Sequence, residues 1–242
     1  MAEPDLATIW VYLSTTPLIG LTVTLVAYSM GYRLYLLANR NPLLNPVVTA
    51  IAALITFLQL TDVSYGTYFE GAQFVHFLLG PATVALAVPL YQQCAKIRQR
   101  MLPLLITLII GAVVGALSSL GIAWVLGASI ETQLSLAPKS VTTPVAMGIS
   151  EQIGGLPSLT AVLVVATGII GAVIGTTLFR LLRIEDDAVK GVALGIAAHG
   201  MGTARAFQLN REMGAFSGLA MALSALTTAV LLPWMLKLLG ML

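Results

Sequence analysis

The chain has little charge, little histidine and almost no cysteine. Only 9% of its 242 residues are Asp, Glu, Lys or Arg, against about 25% in a soluble domain. The single Cys94 excludes an internal disulfide framework. With only two histidines besides it, a structural zinc site lacks ligands. No His-Glu-x-x-His, no Gly-x-x-x-x-Gly-Lys and no cysteine pair occurs, so no metal, no cofactor and no enzymatic activity are expected. Lys139 beside Ser140 does not make a hydrolytic dyad, because adjacent residues on a helix do not face one another. No basic patch points to nucleic acid, and a net charge of +2 says little about partners. The start, Met1-Ala2-Glu3-Pro4-Asp5, lacks the cationic region of a secretory signal, so the first apolar stretch is expected to stay as a span.

Apolar residues dominate instead, at 58% of the chain and a mean hydropathy of +0.94. The expected class is an all-α polytopic membrane protein, one integral domain over 1–242, with the lipid bilayer as its solvent. About six to eight transmembrane segments are expected. Charge-poor windows run over 6–32, 41–61, 71–95 (starting near Phe77), 104–126, 132–150, 156–179, 191–207 and 213–235. Arg33, Arg40, Lys96, Arg98, Arg100, Arg180, Arg183 and Lys190 mark one side, and Glu3, Asp5, Asp62, Glu70 and Glu131 the other. The positive-inside rule puts the basic loops in the cytoplasm and the N-terminus outside.

This orientation sets a parity condition. Glu131 lies outside and Arg180 inside, with the full span 156–179 between them, so 132–150 must enter and return. Its centre, Pro138-Lys139-Ser140-Val141-Thr142-Thr143-Pro144, cannot form one continuous helix, since each proline lacks an N–H and clashes with the preceding turn. Broken backbone at membrane depth is tolerated where protein or a water-filled cavity satisfies it. A lysine there costs about 2.5–3.5 kcal/mol on insertion scales. Lys139 with Ser140, Thr142 and Thr143 is therefore a candidate site for a small carboxylate anion, and the competing reading is a lysine that snorkels to the interface.

Ala197-Ala198-His199-Gly200-Met201-Gly202-Thr203-Ala204-Arg205 has the same character and approaches from the basic side. Histidine exchanges protons near neutrality. His199 and Arg205, with Gly200, Gly202 and Thr203, form a second candidate cluster, in which His199 and Arg205 converge only if Gly200 or Gly202 breaks the helix. Packing of His199 and snorkelling of Arg205 is the equal alternative. Whether 191–207 crosses or turns back is open at this level. Asn41-Pro42 and Asn45-Pro46 read first as helix-starting caps, with a substrate contact from Asn45 second. Asp62, Glu70 and Glu151 read as loop carboxylates, and His76 as a packing or pore-wall residue.

An internal repeat is suggested by Leu79-Gly80-Pro81-Ala82-Thr83-Val84 against Leu136-Ala137-Pro138-Lys139-Ser140-Val141. Ile109–Gly115 and Ile169–Gly175 then match at a similar interval. Transporters are often built from repeats whose discontinuous helices meet at the site, whereas small-residue packing also recurs by chance.

The Asn-Pro pair at 41–46, the run 136–144, Gly154-Gly155 and 198–205 together resemble the LrgB/CidB-like membrane proteins over nearly the whole chain. Gln208 departs from the pattern, which often has Glu shortly after Thr-Ala-Arg. The resemblance implies a protein of the bacterial cytoplasmic (inner) membrane. It further implies an antiholin- or holin-like modulator of murein hydrolase activity and lysis. Plant relatives, in which LrgA-like and LrgB-like halves are fused, are plastid glycolate/glycerate translocators, and bacterial pairs are linked to movement of pyruvate and similar acids. An LrgA-like membrane partner follows from the family, and a homo-oligomer is left open. The expected function is carriage of small monocarboxylates, with the lysis modulator as the alternative.

Overall fold

The computed structural model describes residues 18–242 except 40, 42, 43, 79, 80, 82, 83 and 86, and except the side chains of Leu18 and His76. The start of the first expected span, Pro42, much of the first repeat copy and the reading of His76 lie outside the described residues. Among the described residues there is no strand, so the all-α polytopic class holds. They form two compact units, one up to Ala85 and one from Leu86 to Leu242.

In the first unit, α1 (Leu18–Leu37), α2 (Pro46–Thr61) and α3 (Tyr65–Phe77) pack together. The contacts are close because glycines sit at the crossings. A Cβ on Gly20 would meet the Tyr68 carbonyl and the Ala72 amide, and one on Gly31 would meet Thr49 and Pro46. Thr24 and Tyr68 share a 2.6 Å hydroxyl hydrogen bond across the first crossing. Phe77, near which a span is expected to start, is instead where α3 ends; that helix runs back to Tyr65 and carries Glu70 inside it. That start is possible because Glu70 is exposed while Gly71 and Ala72 are buried.

The second unit begins with α4 (Ala87–Gln92) and α5 (Cys94–Gln99). Three helices in it are long and apolar enough to span a membrane: α6 (Met101–Val125), α9 (Pro157–Leu181) and α11 (Arg211–Leu238), with mean hydropathies of 2.4, 2.3 and 1.9. Twenty-five helical residues, the length of α6 and α9, measure about 37 Å, enough for a hydrocarbon core of about 30 Å. Lys96, Arg98 and Arg100 precede α6, and Arg180 and Arg183 close α9. These two spans are therefore antiparallel, with a basic end in common.

Two helical hairpins fill the space between the spans. At the end away from the basic residues, α7 (Ile130–Leu136) leads inward and α8 (Thr143–Ile153) returns. Since α6 leaves at that end and α9 starts there, the chain between them makes no crossing, as charge parity requires. Ser129 caps α7 by accepting from the Thr132 amide, and Gly154, at φ 85°, ends α8 in the left-handed conformation. The return is locked by hydroxyls. Ser135 Oγ accepts from the Leu156 amide at 2.7 Å, and the single Thr160 hydroxyl proton lies between two acceptors, the Ser135 carbonyl at 3.0 Å and Ser150 Oγ at 2.7 Å. All three hydroxyl side chains are fully buried.

At the basic end, α10 (Asp187–Leu209) settles the question left open by the sequence. Its 23 residues would measure about 34 Å if straight. Yet the side-chain amide of Asn210 donates to Asp187 Oδ2 at 2.8 Å. The helix breaks at Ala198 and His199 and folds back on itself. Its two halves, 187–197 and 200–209, lie so close that a Cβ on Gly202 would meet the Leu194 carbonyl. The segment is a hairpin, not a crossing.

Ionic contacts fix the feet of this hairpin. Arg100 Nη1 holds Asp186 Oδ2 at 2.7 Å, Lys96 Nζ holds both oxygens of Glu212 at 2.9 and 2.8 Å, and Lys190 pairs with Asp187 at 2.9 Å. The Arg100 hydrogen bond holds the Asp186 carboxyl below its ordinary range. The folded-state value is lowered, so the tie is complete above the unfolded aspartate value of about 3.9 and fades as pH falls through the lowered one. Asn210 also caps α11, accepting from the Glu212 amide at 2.7 Å. Asn210→Ala removes the cap and the tie to Asp187 together, with an expected loss of about 1–2 kcal/mol. A lower unfolding temperature of the detergent-purified protein checks this.

The core has two levels. Around the α7–α8 hairpin, Leu120, Leu134, Val141, Ile149, Val164 and Leu232 form one cluster. Around the base of α10, Ile97, Leu104, Leu108, Val192, Ile196 and Phe216 form another. Large apolar side chains on the outer faces, such as Ile110, Trp124, Val162 and Trp234, stay exposed, as expected where lipid covers them.

Candidate site between two half-membrane hairpins

The tip of the α7–α8 hairpin is the run singled out by its prolines. Tight turns join Lys139 N to the Leu136 carbonyl at 3.1 Å and Val141 N to the Pro138 carbonyl at 3.3 Å. Pro138 and Val141 are fully buried and anchor the turn, while Lys139, Ser140, Thr142 and Thr143 are half-buried. Thr142 caps α8 by conformation, with φ −64° and ψ 147°, but its hydroxyl makes no cap bond. Pro144 has no N–H, and the first intrahelical bond runs from the Ala146 amide to the Thr142 carbonyl at 2.9 Å. The Thr143 and Val145 amides are thus first-turn donors outside the helical ladder. Among the described residues no carboxylate pairs with Lys139.

The depth of this tip follows from its neighbour. Ser140 Oγ lies against Gly115, 3.7 Å from where its Cβ would be. Gly115 stands ten residues before the end of α6, about 15 Å along the helix. The tip therefore reaches the middle of the span.

The tip of α10 reaches a similar level from the other side. His199 is buried, and its Nε2 lies 3.0 Å from the Val164 carbonyl. A carbonyl only accepts, so Nε2 carries the proton of this bond. Its ring fills the notch at Gly168, where a Cβ would come within 2.8 Å of Cε1 and Nε2. Val164 and Gly168 stand seven and eleven residues into α9, about 10 and 16 Å from its start. Val164 also packs in the cluster around the other hairpin, so one residue of α9 touches the surroundings of both tips.

The break itself differs from the expected one. Neither Gly200 nor Gly202 makes it; His199 takes φ 39° and ψ −128°. A non-glycine residue there is strained by about 1–3 kcal/mol. The compensation is local: the ring hydrogen bond to Val164, and the Thr203 hydroxyl donating to the His199 carbonyl at 2.9 Å. Gly200 is exposed, and Gly202 is the packing glycine of the hairpin. Thr203 also shares a 3.0 Å hydrogen bond with Ser217 of α11.

The candidate residues do not all converge. Arg205 is buried in the returning half, six residues and about 9 Å from His199 toward the basic end. Its Nη1 donates to Gln208 Oε1 at 3.3 Å, a neutral acceptor. Asn45 belongs to the first unit and acts as the cap of α2, accepting from the Val47 amide at 2.9 Å. The Val164 carbonyl, Gly168 and the Ser135–Ser150–Thr160 cluster carry no motif and escaped the sequence reading; the only trace is hydroxyls and a glycine in apolar runs. Among the described residues no group of His, Cys, Asp and Glu could hold a metal ion.

No solved structure matches the chain. The holin-like protein CidB of Staphylococcus epidermidis is 33% identical over 211 residues, 87% of this chain and 92% of that protein. YwbG of Bacillus subtilis is 35% identical over 222 residues, covering 91% and 97%. The antiholin-like protein LrgB of Bacillus cereus is 29% identical over 225 residues, covering 93% and 98%. The model of the LrgB-like family matches residues 24–238, and the chain belongs to that family.

Proposed function

We propose that the protein carries small monocarboxylates of the glycolate, glycerate and pyruvate class across the bacterial inner membrane, with its basic end in the cytoplasm and its N-terminus outside. One observation carries the reading: two helical hairpins enter from opposite ends and stop near the middle of the spans. Discontinuous helices of this kind form binding sites in secondary transporters. Lys139 supplies the counter-charge for a carboxylate, and Ser140, Thr142 and the Thr143 and Val145 amides supply donors; charge-assisted bonds of this type are short and strong. His199 and Thr203 stand at the tip of the other hairpin, with Gly200 leaving room beside them. Gly202 keeps that hairpin closed. Arg205 lies on the basic side, where a departing anion would pass. Asn45 caps α2 in the first unit.

The names of the relatives favour a second reading, in which the chain modulates murein hydrolase activity and lysis with a holin-like, LrgA-type partner. Purified protein in liposomes distinguishes the two. The carrier reading expects saturable uptake of labelled glycolate or pyruvate above that of empty vesicles. Absence of flux, alone and with the LrgA-like partner, combined with altered autolysis in cells lacking the protein, would transfer the assignment to the second reading.

A further inference from the structure

A cavity of about 330 Å³ opens at the foot of the α10 hairpin, between the last turns of α9 and the start of α11. Phe179 and Arg180 of α9, Asp187 and Lys190 of the entering half, Asn210 and Met213 line it. We propose that this cavity binds the phosphate of an anionic phospholipid. The proposal is independent of the carrier reading.

Charge is the first argument. The one carboxylate in the wall, Asp187, is already engaged on both oxygens, by Lys190 at 2.9 Å and by Asn210 at 2.8 Å. Among the described residues no carboxylate pairs with Arg180. Two cations thus face one satisfied anion, and Lys190 keeps two further N–H donors. The guanidinium fork of Arg180 matches two phosphate oxygens.

Position selects a lipid over a dissolved anion. Arg180 ends a spanning helix, the level at which headgroups lie. Phe179 and Met213 make part of the wall apolar. Leu209, also in the wall, is 44% exposed, and Leu181 and Leu182, which follow Arg180 in the chain, are exposed by 77% and 60%. A free phosphate would leave these side chains in water, whereas the acyl chains of a lipid cover them.

The test is thermal unfolding of the purified protein with phosphatidylglycerol, phosphatidylcholine or soluble glycerol phosphate, supported by native mass spectrometry of bound lipid. Phosphatidylglycerol should raise the unfolding temperature saturably, by roughly 3–5 °C at ten times its Kd. Arg180→Gln should lose most of that shift and the bound-lipid peak, Arg180→Lys should retain part, and Arg98→Gln, outside the cavity, should retain all of it. An equal shift with phosphatidylcholine, an equal shift with glycerol phosphate, or an undiminished response in Arg180→Gln would each overturn the proposal.

Discussion

Gly202→Ala is expected to lose most of its folded protein, while Gly200→Ala, two positions earlier, folds like the parent. The new Cβ at 202 would land on the Leu194 carbonyl and within 2.8 Å of the Ala198 Cβ. The carbonyl is main chain of the facing half and cannot rotate aside, so relief requires the hairpin to open. Opening would strip the Asn210–Asp187 and Thr203–Ser217 bonds. The expected penalty is about 3 kcal/mol, the upper end for overpacking, or a fall of roughly 6–12 °C in unfolding temperature. At Gly200 the added Cβ meets only Met221 Sδ at 3.9 Å, ordinary contact. Alanine there is neutral or gains part of the helix propensity difference of about 1 kcal/mol. Size-exclusion profiles and unfolding temperatures of the pair decide the matter. Equal behaviour of the two variants would mean that the halves of α10 do not pack as described.

Lys139→Met should move stability and function in opposite directions. Lys139 is half-buried at mid-span without a described carboxylate partner, so the folded state carries a desolvated cation. Methionine keeps a flexible, unbranched shape and removes that charge. The unfolding temperature should therefore rise. Flux in liposomes should fall by about 10- to 100-fold, the value of a lost hydrogen bond to a charged group. A drop in stability would identify Lys139 as a structural residue, and unchanged flux would remove it from the site.

The two hairpins were not equally legible in the sequence. The α7–α8 hairpin announced itself through charge parity and through Pro138 and Pro144, local signals that act on the backbone directly. Nothing local reveals that α10 returns. That depends on Asn210 meeting Asp187, residues 23 apart, and on Gly202 lying against Leu194. The position of its break was also hidden. Glycine is the usual residue at a positive φ, and only the tertiary partners Val164, Gly168 and Thr203 make the conformation tolerable for His199. Asn45 was easier, because a cap is a local device and Asn-Pro states it. Single hydroxyls such as Thr160, by contrast, acquire meaning only when another segment is brought beside them.

The direct join of α10 to α11 through Asn210 bears on how the chain is assembled. Residues 187–209 are not among the stretches apolar enough to span, and they carry His199 and Arg205. Their glycines instead fit α11: a Cβ on Gly191 would meet the Met213 carbonyl, and one on Gly195 the Ser217 carbonyl. The surface that receives the hairpin does not exist until α11 has been synthesised. The hairpin is therefore expected to wait at the membrane surface during translation and to be drawn in by the helix made after it. A ribosome-stalled chain ending before α11 should accordingly remain open to protease at Arg205, and protection at that stage would refute this order of insertion. The interior around α10 is thus completed by a helix made after it.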